Sequence, residues 1–80
     1  MQMKQIEVFH AVYSTGSVSN AAKFLHVSQP AVSKVLHRAE DQLGYLLFKR
    51  VKGKLVPTDE AHSLFAEVSQ VYQQILSLQK

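Results

Sequence analysis

Residues 26–44 read HVSQPAVSKVLHRAEDQLG, and the start of this run carries the strongest local signal in the chain. Ser28 is a favoured helix N-cap. Pro30 falls in the first turn, where a missing N–H costs little. Val27 precedes the cap and Val32 stands at the fourth helical position, so the two are placed to form a hydrophobic staple. Gly44 supplies a C-terminal stop. The pattern predicts a helix over 28–43. With 100° per residue, Val32, Val35, Leu36, Ala39 and Leu43 fall within an arc of about 100° and must face a core. Gln29, Pro30, Ser33, Lys34 and His37 lie on the opposite side, with Arg38 at its edge.

That outward face is small, polar and hydrogen-bonding. An ordinary solvated helix face prefers Glu, Lys and Ala to Ser-Gln-Pro-Ala-x-Ser. The composition suits the DNA major groove instead. Gln pairs bidentately with adenine and Lys with guanine, and Ser lets the backbone approach closely. Base edges are met by the N-terminal residues of a recognition helix. Gln29, Pro30, Ser33, Lys34 and His37 are therefore candidate base contacts, although a histidine so placed is more often a plain surface residue. A helix N-terminus also attracts phosphate, so Ser28 is a candidate backbone contact as well as a cap. Arg38 is another.

Upstream, His26 and Val27 form a tight turn. Ser17 can cap a helix over 18–25 in which Val18, Ala21, Ala22 and Leu25 share a face. Two central alanines let another helix come close. The short joint between this helix and the next is the mark of a helix-turn-helix. A first helix runs over 3–13, with Met3, Ile6, Phe9, Val12 and Tyr13 as its apolar stripe. Ser14, Thr15 and Gly16 end it.

Downstream, residues 46–57 read LLFKRVKGKLVP. Apolar residues bracket a polar turn at Gly53, which predicts a short β-hairpin, a wing over 47–57. Lys49, Arg50, Lys52 and Lys54 place four cations in six residues. Such a tip neutralises phosphates, each contact adding about 0.9 to the log–log salt slope. Arg50 differs from the lysines, because its fork can enter a narrow A·T-rich minor groove. The same charges also keep an edge strand from pairing.

Thr58 caps a last, long helix, with Asp59 and Glu60 complementing its dipole. Ala61, Leu64, Val68, Val71, Ile75 and Leu78 follow heptad spacing, and Phe65 and Tyr72 widen the stripe. About 22 residues at 1.5 Å each give about 33 Å, too long for so small a domain to cover. Its first turns are expected to fold back. The rest is expected to pair with a second chain through Leu64, Phe65, Val68, Val71, Tyr72, Ile75 and Leu78, since an apolar stripe left open is a liability. The expected architecture is mainly α. It is a winged helix-turn-helix over 1–57, a three-helix core plus a β-hairpin wing, followed by a long C-terminal linker and dimerisation helix over 58–80.

Composition is consistent with this. Eighty residues make one small domain, and 46% hydrophobic content argues against disorder. There is no cysteine, so neither a disulfide nor a thiolate metal site is possible, which fits a reducing cytoplasm. No apolar run approaches the roughly 20 residues of a membrane span, and the N-terminus is too polar for a signal peptide. The net charge is +3, concentrated between Ser28 and Val56. That stretch holds Lys34, Arg38, Lys49, Arg50, Lys52 and Lys54 against only Glu40 and Asp41, a footprint for a polyanion. His10, His26, His37 and His62 show no metal-ligand spacing. No phosphate loop or catalytic constellation stands out, so neither an enzyme nor a cofactor is expected. The competing reading is a helical protein-interaction module that dimerises without touching DNA.

Taken together, Ala21-Ala22, Leu25, the run Val27 to Lys34, Glu40, Leu43-Gly44 and Leu47-Phe48-x-Arg50 resemble the DNA-binding domain of LysR-type transcriptional regulators. The resemblance covers nearly all of the chain. The block VKGKLVPTDEA (51–61) is similar to the branch that includes octopine- and nopaline-responsive regulators. The resemblance implies that Gln29, Pro30, Ser33 and Lys34 meet the major groove. It implies that Ser28 and the start of the second helix, Ser17 and Ser19, hold phosphates, and that Arg50 works from the wing. It also implies an antiparallel pairing of linker helices and a dyad-symmetric DNA site. Family members carry a larger effector-binding domain, which this sequence lacks; a fragment that binds DNA without sensing a ligand is expected. The chain departs from the family pattern at Ala39, where a large aliphatic residue is usual, and at His62, where glycine is frequent.

Overall fold

Side-chain hydroxyls open three of the four helices in the computed structural model, which describes residues 1–79. The elements are α1 (Met3–Thr15), α2 (Val18–Leu25), α3 (Gln29–Leu43), β1 (Phe48–Val51), β2 (Lys54–Pro57) and α4 (Asp59–Leu78). Ser17 Oγ accepts from the Asn20 N–H at 2.9 Å, Ser28 Oγ from the Ala31 N–H at 3.2 Å, and Thr58 Oγ1 from the Ala61 N–H at 3.1 Å. Each removes one orphan donor of a first helical turn. Gly16 and Gly44 end α1 and α3 in the left-handed conformation, with φ of 76° and 82°. Lys80, the last residue of the expected linker segment, lies outside the described residues.

α1 is the hub, touching α2, α3 and α4. Its buried residues are Gln5, Val8, Phe9, Ala11 and Val12. This corrects the expected stripe at one end, because Met3 is 58% exposed. A spacing of three residues turns 300°, so the stripe drifts by 60° at every step, and Met3 ends up about 180° from Val12. The face that stays buried follows 5, 8, 9 and 12, the true i, i+3, i+4 pattern. Gln5 can be buried because its amide is satisfied. Its Oε1 accepts from the Gln2 N–H at 2.9 Å, and its Nε2 donates to Gln42 Oε1 at 3.1 Å.

Phe9, Leu47, Val8, Val12 and Val32 are the largest fully buried side chains. The Phe9 ring meets Tyr13, Phe48 and Phe65 at centroid distances of 5.9, 5.8 and 6.2 Å, all tilted or edge-on, as aromatic quadrupoles prefer. Ala21 and Ala22 are buried, so α2 lies close against its neighbours. His26 makes the turn into α3 with φ of 59°, and the Val27 N–H closes the end of α2 on Ala22 O at 3.0 Å.

β1 and β2 pair antiparallel, Phe48 with Pro57, Lys49 with Val56, Arg50 with Leu55 and Val51 with Lys54. Lys52 and Gly53 take φ of 52° and 78°, the pair of left-handed residues that a two-residue hairpin turn of matching twist requires. Two anchors fix this hairpin. Thr58 Oγ1 donates to Leu46 O at 2.7 Å while capping α4. Glu40 Oε2 accepts from the Leu47 N–H at 2.7 Å and lies 3.4 Å from the Phe48 N. A charge-assisted bond is about twice as strong as a neutral one. Glu40→Gln should therefore cost about 1 kcal/mol, lowering Tm by about 4–8 °C. An unchanged melting curve would show that Glu40 does not brace the wing.

α4 leaves Thr58 and runs back along α1. Phe65 stacks on Tyr13, with centroids 3.8 Å apart and planes within 9°. Tyr72 stacks on His10 at 4.1 Å and 17°. The Tyr13 hydroxyl lies 2.7 Å from His62 Nδ1, so the departure at His62 is absorbed by a hydrogen bond at the start of α4. Burial holds the His10 pKa below its ordinary 6.5, because desolvation disfavours the charged ring. The folded state thus binds this proton less readily than the unfolded state. The stability at stake is fully present above about pH 6.5 and declines as pH falls below it. The expected result is a melting temperature that drops, as pH falls below about 6.5, more steeply in the parent chain than in His10→Gln. Equal slopes would contradict it.

Candidate nucleic-acid interface

α3 owes its orientation to Val32, Leu36 and Ala39, which are buried, and to Val35 and Leu43, half-buried beside them. With that side fixed, Gln29, Pro30, Lys34, His37 and Arg38 are exposed. Ser33 differs from its companions: it is half-buried. It lines a crevice of about 200 Å³ between α3 and the wing, shared with Val18, His37, Phe48, Arg50 and Leu55. Ser33 therefore sits on the floor of a groove, with Lys34 on open surface.

The wing cations separate by strand alternation. Arg50 is opposite Leu55 and two residues from Phe48, so it shares the side of the hairpin that carries these half-buried residues. Lys49, Val51, Lys54 and Val56 share the other side. Lys52 stands at the turn. Arg50 consequently faces the helices. It lines a second groove of about 400 Å³ with Gly16, Ser17, Val18, Ser19, Gln29, Gly53, Lys54 and Leu55. The first turns of α2 and α3 meet the wing tip there.

This convergence has a definite electrostatic sense. Helix N-termini carry partial positive charge and free N–H groups, and Arg50, on the side of the hairpin that faces them, adds a full charge. The Ser17 and Ser28 hydroxyls accept from backbone N–H groups, which leaves each hydroxyl hydrogen free to donate outward. Two helix N-termini and the Arg50 cation of the hairpin thus line the same groove. Among the described residues, no group of His, Asp or Glu is placed to hold a metal ion, and no helix is long and apolar enough to cross a membrane.

The expected pairing face of α4 divides in two. Val68 is 4% exposed and belongs to this chain's own core, which corrects its assignment to an interface between chains. Phe65 and Tyr72 are likewise engaged by α1 through Tyr13 and His10. At 100° per residue, Ala61, Phe65, Val68 and Tyr72 fall on one flank, and Leu64, Val71, Ile75 and Leu78 on the other. Surface remains on that second flank, with Val71 41% and Leu78 86% exposed. Heptad spacing locates an apolar seam but cannot say which flank a neighbouring helix of the same chain will take.

Sequence reasoning missed Glu40 as the brace of the hairpin and the second bond of Thr58. Only the position of Glu40, four residues before the helix-ending Gly44, hinted that its carboxylate could reach the emerging chain.

The matching family model, bacterial regulatory helix-turn-helix protein, lysR family, covers residues 3–62. Among curated proteins, the chain is 64% identical over 78 residues to the HTH-type transcriptional regulator DgcR of a Pseudoalteromonas species, covering 98% of this chain and 27% of that protein. It is 39% identical over its whole length to the regulatory protein NocR of Agrobacterium fabrum, again 27% of the relative. The chain thus spans about a quarter of the length of the curated relatives it matches. Among solved structures, it superposes on the DNA-binding domain of CbnR in complex with DNA with a TM-score of 0.86 and 29% identity, over 94% of this chain and 86% of that one. The fold is that of a winged helix-turn-helix, and the chain belongs to the lysR family of bacterial regulatory helix-turn-helix proteins.

Proposed function

We propose that this chain binds double-stranded DNA in a sequence-specific way, as the DNA-binding unit of a bacterial transcriptional regulator. The carrying observation is that Gln29, Pro30 and Lys34 stand exposed at the start of α3, beside a groove where two helix N-termini and Arg50 converge. In this reading α3 enters the major groove. Gln29, Pro30, Ser33, Lys34 and His37 meet base edges. Ser17, Ser19, Ser28, Arg38, Lys49, Lys52 and Lys54 hold the backbone, and Arg50 reaches the adjacent minor groove. Residues 1–57 form the reading unit and 58–80 the linker. The chain pairs with a second copy through the more exposed flank of α4, Val71 and Leu78 together with the half-buried Leu64 and Ile75, giving two recognition helices and a dyad-symmetric site. The protein works in the cytoplasm by binding rather than catalysis, without a cofactor, and the greater length of its relatives carries the effector-binding part.

Mobility shifts at increasing salt test this reading. Binding should weaken steeply and linearly in log–log form, and Lys52→Ala should flatten the slope by about one unit on every sequence tried. A helical protein-interaction module would give no shift and no retention on heparin.

A further inference from the structure

One side-chain bond crosses the helix-turn-helix at its reading end. Gln29 Nε2 donates to Ser19 Oγ at 3.3 Å. It joins the second residue of α2 to the first residue of α3, within the groove that also holds Arg50. A solvent-exposed bond of this length does little for folding. Its effect on a reading side chain is larger, because a glutamine held in one rotamer has less freedom left to lose on binding.

The bond also changes what Gln29 can offer. An untethered glutamine amide has two N–H donors and one carbonyl acceptor. With one N–H given to Ser19, a single donor and a single acceptor remain. Adenine presents one donor, N6–H, and one acceptor, N7, in the major groove, whereas guanine presents two acceptors, O6 and N7. The tethered amide matches adenine fully and leaves one guanine acceptor unmet. The Ser19 hydroxyl accepts in this bond, so its own hydrogen stays free for a DNA phosphate.

We propose that Ser19 is a positioning residue that commits Gln29 to adenine over guanine by occupying one of its two amide N–H groups. This rests on the DNA-binding reading given above. The test compares affinities for a selected operator and for the same operator with the Gln29-dependent base exchanged between adenine and guanine in both half-sites. That base is the position at which Gln29→Ala erases the preference. The parent chain should favour adenine, Ser19→Ala should reduce the adenine-to-guanine ratio about three- to tenfold, and Ser19→Thr, which keeps the hydroxyl, should restore it. In a Gln29→Ala background, Ser19→Ala should change the ratio no further. Melting temperatures of the Ser19 variants should match the parent, because the bond lies outside the core. The proposal is overturned if Ser19→Ala keeps the parental ratio, if it lowers the ratio equally without Gln29, or if the preferred base is not adenine. A parent chain with no base preference anywhere would instead remove the DNA-reading premise itself, and the two failures are told apart on the parent protein alone.

Discussion

Replacing Phe9 with alanine should cost about 3–5 kcal/mol of folding stability. That is a large share of what a chain of 80 residues has available. Phe9 is fully buried and is the ring that Tyr13, Phe48 and Phe65 all meet. It therefore joins α1 to the wing and to α4 together. Its loss leaves a cavity that three separate elements cannot close without moving, which places the cost in the upper part of the range for such truncations. Urea denaturation followed by circular dichroism measures it: the midpoint should fall with little change in slope. A loss under about 1 kcal/mol would mean that the three elements are held by something other than this ring.

The second large effect is on DNA rather than on folding. Gln29→Ala should lose about 1–3 kcal/mol on the preferred site, roughly 5- to 150-fold in affinity, and relax the choice at one base position per half-site. Gln29 is exposed at the start of α3, so its truncation should leave Tm within about 0.5 kcal/mol-equivalent of the parent. The informative comparison is with Lys52→Ala, whose side chain extends from the turn of the wing. Titrating both variants against specific and random duplexes separates the two roles. Equal losses on both kinds of duplex for both variants would erase the distinction between residues that read bases and residues that hold the backbone.

Much of this architecture is legible in the sequence because it is written in local chemistry. Ser17, Ser28 and Thr58 cap their helices, and Gly16 and Gly44 stop theirs, through contacts between residues within about four positions of each other. The bounds of α2 and the end of α3 follow from such pairs. The α3 core face was equally plain, since Val32, Leu36 and Ala39 repeat with true helical period. What the sequence hid depends on partners far away in the chain. Met3 is a separate case, because helical angle alone places it opposite Val12 and no distant partner is involved. The burial of Gln5 carries no local signal, because its amide is satisfied by Gln42, 37 residues away. The apolar seam of α4 was visible, but its division into a flank against α1 and an open flank was not, because that choice is made by His10 and Tyr13. In the candidate site, the exposure of Pro30, Lys34 and His37 follows from helical angle, whereas Gln29 stands only about 20° from Leu36 on the wheel and owes its exposure to its place as the first residue of α3. The inward turn of Arg50 and the bond between Ser19 and Gln29 required the hairpin register and the helix crossing.

In the proposed dimer, two copies of α3 present the same small polar surface to DNA about a dyad. Selection of bound duplexes from a random pool tests this most directly. The expected consensus is an interrupted palindrome whose half-site centres lie about 10–10.5 base pairs apart, or a multiple of that spacing. An asymmetric consensus, or no enrichment at all, would contradict it.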